Sequence, residues 1–544
     1  MKRLFPYLLY ALLTLFIMFP LYKPGYIFLL DFVFGPKIKL PDLTYGIPAG
    51  MPITLFIKFL SLFISTQVIQ KILLTLALIL PPIFIYKLAG KYLPASWATV
   101  SGLFYMLNPY VYERFLAGHV MILLGYAFFP LLIAAFLDFL KKPAGNNFWH
   151  LTILFSIYPM INLHWAYMAG LVLVSFFLLN EITGKRLLSH TRFASRILRL
   201  LLFTITFLLV NSFWLVNIFS IKSPVSFISP EDYVAYAPLK DETYGVFVNV
   251  LSQYGFWLQD YPSPKFFLKE WPFLTILTLI LSAAGTLTLI KRKDFSGIGF
   301  SLIFFSALFL AVGYSHPFTK IPVKFLFDYL PGYKGLRETG KLIGILSFTY
   351  ALFAPMGASS LTRFFLKIVR KSLRRFYQAG CITVISLIPI LSVNNIFWGF
   401  SNQIKPYDYP SSWYRANDIL KKENNINNVL FFPWHLYPTL DFAGYVRAAS
   451  PATVFFDAKI INSQSLDNPF LLEKETGPLN DKIFKLLHGF EGMDENMRFF
   501  QDSGITHIIL AKISDFDRYN FLISSKMPEN IYESGELAVY RINQ

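Results

Sequence analysis

One cysteine, Cys381, is all that the 544-residue chain carries, and it lies in an apolar run. A disulfide framework is excluded, as is any cysteine-based metal site or redox pair. Charge is scarce as well: 15% of residues are Asp, Glu, Lys or Arg, against about 25% in an ordinary soluble domain. No internal repeat is evident, which counts against an inverted-repeat transporter. The zinc spacing H-E-x-x-H does not occur, nor does a nucleotide-binding loop or a serine elbow in the polar tail.

Apolar residues take the place of the missing charge. The chain is 55% hydrophobic and 18% aromatic, more apolar surface than a soluble core absorbs, so a bilayer must share the burial. A net charge of +17 invites a nucleic-acid partner. That reading fails, because the cations fall in short loops between apolar spans rather than on one continuous face. Met1-Lys2-Arg3 and the apolar run behind it have no small-residue cleavage site; Pro20, Tyr22 and Pro24 stand there instead. The segment reads as a retained first helix, a signal anchor.

Apolar runs of spanning length lie at 4–22, 70–89, 118–140, 199–220, 271–290, 341–360 and 378–399. Shorter or interrupted ones lie at 95–109, 149–163, 164–180 and 296–313. The stretch 149–180 is either two helices turning at Pro159–His164 or one long kinked helix. Charge arbitrates. With eleven spans and a cytoplasmic N-terminus, every inside segment is basic. They hold Lys2 and Arg3; Lys87 and Lys91; Lys141 and Lys142; Lys185, Arg186, Arg192, Arg196 and Arg199; Lys291, Arg292 and Lys293; and Arg363, Lys367, Arg370, Lys371, Arg374 and Arg375. The positive-inside rule therefore predicts an all-α polytopic membrane domain over 1–400, in the cell membrane, with an extracytoplasmic C-terminus. Ile53–Ser65, too short to span, suits a helix lying along the interface.

From Ser401 the chain turns polar, and 401–544 is long enough for one small soluble α/β domain. A helix capped by Ser411 or Ser412 is expected to run to Lys422, with strands at 429–432, 507–510 and 537–542.

Polar groups on the expected outer face carry the chemistry. Asp31 sits in the aromatic stretch Gly25-Tyr-Ile-Phe-Leu-Leu-Asp-Phe-Val-Phe. A carboxylate buried there would need a cation, a metal or a donor, and desolvation would raise its pKa toward that of a general base; the alternative is a solvated loop aspartate or a helix cap. Asp42, in Leu-Pro-Asp-Leu-Thr, reads equally as a turn residue. The connection 108–119 packs Glu113, Arg114 and His119 together. Arginine and histidine there suit a phosphate, the alternative being an internal Glu113–Arg114 pair. Arg337, Glu338 and Lys341 precede a span, where backbone N–H groups also favour anions or where the lysine simply snorkels. His164 reads as an interfacial histidine, and Glu231, Asp232, Asp241 and Glu242 as a solvated face. A divalent metal, Mg or Mn, is compatible with Asp31, but nothing in the sequence requires one.

Asp31 after the first span, with Asn108-Pro-Tyr-Val-Tyr-Glu-Arg-Phe-Leu-Ala-Gly-His119 and Leu336-Arg-Glu-Thr-Gly-Lys341, resembles the C-type (GT-C) membrane glycosyltransferases. Within them the likeness is to a branch with arabinofuranosyltransferase-like modules. In the tail it rests on Val429-Leu-Phe-Phe-Pro433, Gly504-Ile-Thr-His-Ile-Ile509 and Leu537-Ala-Val-Tyr-Arg541. The resemblance implies a polyprenyl-phosphate sugar donor, a glycan or glycoprotein acceptor at the membrane lipid surface, and inverting transfer. It implies Asp31 as base, with Arg114, His119, Arg337 and Lys341 on the donor phosphate and Asp42, Glu113, Glu338 and His164 in support. The family's pattern of two adjacent acids is absent, since Phe32 follows Asp31. The other function compatible with the sequence is a non-catalytic transporter, flippase or scaffold for lipid-linked glycans. Transport would place ionisable groups deep within spans; Asp138 and Glu181 lie near span ends instead.

Overall fold

A computed structural model describes residues 4–41, 43, 46–142, 145–183, 190–220, 228–259, 261–291, 295–423, 426–463, 478–487, 493–519, 522 and 528–542. The chain divides into two compact units. The first comprises 1–18, 40–56 and 73–401, the second 19–39, 57–72 and 402–544.

All eleven expected spans fall on helices. Among the described residues eight helices are long and apolar enough to cross a membrane. They are Phe5–Tyr22, Thr66–Ala89, Val120–Lys141, Ile197–Asn217, Trp271–Lys291, Gly297–Ser315, Thr339–Phe365 and Lys371–Ser392. The other three expected spans are the helices Ala95–Met106, Asn146–Ile161 and Leu163–Thr183. The stretch 149–180 is thus two helices. They break at Asn162, whose backbone is extended and whose side chain caps the second helix by accepting from the Trp165 amide at 3.0 Å.

The hub of the first unit is the helix Ile343–Phe365, in which every residue from Ile343 to Ser359 is buried. It packs on the helices Trp271–Lys291, Ala95–Met106 and Phe295–Val312. Small residues let the backbones approach. A Cβ on Gly357 would lie 1.9 Å from the Leu281 carbonyl oxygen, and one on Gly285 2.1 Å from that of Phe353. Gly357→Leu is therefore expected to cost at least about 1–3 kcal/mol by overpacking. Gly380→Ala, whose Cβ meets nothing within 4 Å, should leave the thermal midpoint of the detergent-solubilised protein unchanged.

The second unit holds a five-stranded sheet in the order Lys459–Ile461, Asn428–Phe432, Ile505–Ala511, Leu537–Arg541, Glu529–Glu533. Its first three strands run parallel, and Leu537–Arg541 pairs antiparallel with both of its neighbours. The helix Ser411–Lys422 has Pro410 rather than a serine at its cap, and its Trp413 stacks on Phe456 over one face of the sheet. The tail does not fold alone. Tyr26–Ile27 pairs with Pro406–Tyr407, and Tyr26 and Phe28 enter the same core as Trp413 and Phe431. The Gln70 amide acts as a further strand edge, accepting from Ile27 N at 2.9 Å and donating to Ile27 O at 2.7 Å.

Candidate functional site

Asn108-Pro109, expected to lie in a plain connection, starts a short helix, Pro109–Leu116. Asn108 accepts from Val111 N at 3.0 Å and proline takes the first helical position. Successive residues on a helix point apart. Glu113 and Arg114 accordingly do not pair with each other, correcting that alternative, and each finds a partner distant in sequence.

Arg114, 2% exposed, forms a charge-assisted bond to the buried Glu338. Glu338 also holds Lys341 Nζ at 3.2 Å. Arg114 Nη1 lies 3.0 Å from His119 Nδ1, and Lys341 Nζ 3.4 Å from His164 Nε2. Five of the residues selected from sequence thus form one continuous chain: His119, Arg114, Glu338, Lys341, His164. Burial alone would raise the Glu338 carboxyl, but Arg114 and Lys341 outweigh it and hold the group well below the usual carboxylate range. Counted formally, with Arg114 and Lys341 charged, Glu338 ionised and the imidazoles neutral, the chain carries one surplus positive charge; the Glu113 carboxyl, which also acts on Arg114, stands outside this count. A desolvated surplus charge is costly unless an anion meets it.

Aromatic groups complete the surroundings. The Arg114 guanidinium lies 5.2 Å from the Phe256 ring centre and 5.5 Å from that of Tyr110. Gly340 passes so close that a Cβ there would lie 2.7 Å from Gly255 O and 3.2 Å from Arg114 Nη2. Arg337 is set apart from the chain. It stacks on Tyr236 at 4.4 Å, with Nη1 3.5 Å from Asp232. Asp232 is buried in a capping box with Ser229, and Asp241 pairs with Lys265 at 3.1 Å. Neither is the solvated loop acid expected.

Glu113 anchors the loop that carries Phe256. It accepts from Ser263 Oγ at 3.1 Å and from Phe256 N at 3.2 Å. Burial pushes its pKa from 4.5 up to about 7, more than Arg114, Ser263 and Phe256 pull it down. Because the folded pKa lies above the unfolded one, stability is highest in acid and declines as pH rises through about 7. The decline amounts to about 3 kcal/mol for a shift of this size. The thermal midpoint should fall between pH 5 and 8, and Glu113→Gln should flatten that slope.

Asp31 belongs to the second unit. Of the two readings of Asp31, apolar burial is corrected and the solvated one agrees with the structure: the carboxylate is exposed, while Phe28, Leu29 and Leu30 beside it turn inward. Asp31 Oδ1 accepts from Tyr437 Oη at 2.6 Å, and Leu30 O from Ala449 N at 2.7 Å. Tyr437 follows the parallel strand Asn428–Phe432, and its loop also carries His435, whose Nε2 lies 2.7 Å from Asp515 after the neighbouring strand Ile505–Ala511. Loops at the carboxyl ends of parallel strands are where α/β sheets take ligands. Sequence reasoning missed Tyr437, His435 and Phe256, because their roles arise from pairings across long sequence separations. Asp42 lies outside the described residues. Among the described residues no group of three or more His, Cys, Asp or Glu is placed to hold a metal ion.

The many-helix unit with its small sheet-containing companion is similar in fold to solved glycosyltransferase structures. The particular likeness is to arabinofuranosyltransferase AftD from Mycobacteria, with TM-score 0.59 and 12% identity, covering 99% of this chain and 40% of that one. A point mutant of that enzyme gives TM-score 0.60 at 13% identity, covering 99% and 41%. The chain thus spans about two-fifths of the length of these structures. A weaker match, TM-score 0.47 at 13% identity, covers 99% of this chain and 97% of ArnT from Cupriavidus metallidurans. No protein-family model and no curated protein sequence matches the chain. At these identities the likeness is one of fold.

Proposed function

We propose that this multi-pass membrane protein is a glycosyltransferase. It moves a sugar from a polyprenyl-phosphate donor to an acceptor hydroxyl at the extracytoplasmic membrane face. The observation that carries the reading is the buried ionic chain of the first unit, with two cations on one carboxylate inside a GT-C fold. Its surplus charge suits the phosphate of a lipid-linked sugar, with Lys341 and the half-exposed Arg337 as direct donors. Arg114 is pinned by Glu338 and positions that carboxylate rather than reaching outward.

In the second unit Asp31 is assigned to the acceptor. In the transfer a general base takes the hydroxyl proton as the oxygen attacks the anomeric carbon, and the family resemblance puts Asp31 forward as that base. The bond from that carbon to the phosphate oxygen breaks, and polyprenyl phosphate leaves with the electron pair. Stabilising the charge that develops on the departing phosphate lowers the barrier more than any other single effect in sites of this kind. Asp31 is ready for its role because Tyr437 fixes one of its two oxygens. Incubating purified protein with a panel of polyprenyl-phosphate sugars and acceptor glycans, with and without Mg or Mn, tests the reading. At least one donor should be consumed with release of polyprenyl phosphate. Consumption of none, in protein shown to be folded, would refute it.

A further inference from the structure

Away from that cluster the first unit carries an apolar cavity of about 730 Å³ between the helices Trp271–Lys291, Ile343–Phe365 and Arg374–Ser392. Leu281, Leu361, Phe365, Leu373, Gly380 and Cys381 line it. Its volume falls within the ~300–1,000 Å³ of small-molecule pockets, and at Gly380 the wall is open enough that an added Cβ would meet nothing within 4 Å.

Charge marks one end of this groove. The connector that supplies Phe365, Val369 and Leu373 to the lining also carries Arg363, Lys367, Arg370, Lys371, Arg374 and Arg375. No acid occurs between Glu338 and Asp408, and among the described residues none of these six cations forms an ion pair within the chain. Arg363 and Arg374 each spend one N–H on a backbone carbonyl, of Ser359 and Val369. Interleaved with the cations, Phe364, Ile368 and Phe376 are exposed, Phe376 by 82%. Bulky apolar groups alternating with unpaired cations form an interfacial surface for anionic lipid.

We infer that this groove is a binding site for one anionic membrane phospholipid. The acyl chains lie against Leu281, Leu361 and Gly380, and the headgroup phosphate lies on Arg370, Lys371 and Arg374. Hydrocarbon alone would select no headgroup; the cation cluster supplies the selectivity. No residue of the groove belongs to the ionic chain around Glu338, so the lipid site stands or falls separately from the transfer reaction.

The test reconstitutes the full chain in nanodiscs of mixed phosphatidylglycerol and phosphatidylcholine and counts retained lipid by native mass spectrometry after detergent stripping. The wild type should retain phosphatidylglycerol at least about tenfold over phosphatidylcholine. Gly380→Leu, which fills the groove and leaves every cation in place, should abolish that preference, as should the triple variant Arg370→Gln, Lys371→Gln, Arg374→Gln. Cys381, the chain's one thiol, should react more slowly with a membrane-permeant bimane in phosphatidylglycerol than in phosphatidylcholine. Equal retention of the two lipids, wild-type preference in Gly380→Leu, or selective retention of added farnesyl phosphate instead of phospholipid would overturn the assignment.

Discussion

Asp31→Asn is expected to lower sugar transfer by about 10²–10⁴, the range that a positioned general base contributes, with membrane insertion and thermal stability unchanged. The substitution keeps the shape and the hydrogen bond from Tyr437 but removes the basic oxygen. Stability should hold because the carboxylate is exposed, so neutralising it strands no buried charge. Tyr437→Phe should give a smaller loss, in kcat more than in KM, because the hydroxyl orients the carboxylate. Transfer rates on one donor, with circular dichroism as the folding control, decide both. Wild-type rates in Asp31→Asn would rule out Asp31 as the base.

The second large effect concerns Glu338. Replacing it by Gln leaves Arg114, 2% exposed, and Lys341, 8% exposed, without their shared counter-ion. Breaking a buried ion pair from one side costs about 3–5 kcal/mol, because the stranded charge stays desolvated. The thermal midpoint should drop sharply. Glu338→Gln combined with Arg114→Met should recover much of the loss, since removing both partners can be nearly neutral. The pH sign is opposite to that of Glu113. The folded pKa of Glu338 is depressed, so its contribution is fully present above the ordinary carboxylate range and is lost only as acid titrates the folded group. If the double variant is no more stable than the single, the pair is not the unit of stabilisation.

Much of this was legible in the sequence. Bilayer burial imposes long apolar runs, so the helices could be read directly, and alternation of basic loops separated two helices in 149–180. The site was legible in composition but not in pairing. Arg114, His119, His164, Glu338 and Lys341 were recognisable because polar groups are few in this chain; which of them bond depends on packing between helices up to 224 residues apart in sequence. Asp31 shows the opposite failure. Its aromatic neighbours read as an apolar setting that would bury the carboxylate, whereas Tyr26 and Phe28 fill the core of the sheet-containing unit, a destination that local composition does not encode. Asp232 likewise reads as a solvated acid until Ser229 and Arg337 are seen beside it.

At the centre of the proposed function is a buried surplus of positive charge seeking a lipid phosphate. Titrating detergent-purified wild type and Lys341→Gln with farnesyl phosphate and with farnesol measures this directly. Wild type should bind the phosphate at least about tenfold tighter than the alcohol, and Lys341→Gln should lose that difference while binding farnesol as before. Equal affinity of the wild type for the two ligands, or an undiminished phosphate preference in Lys341→Gln, would contradict it.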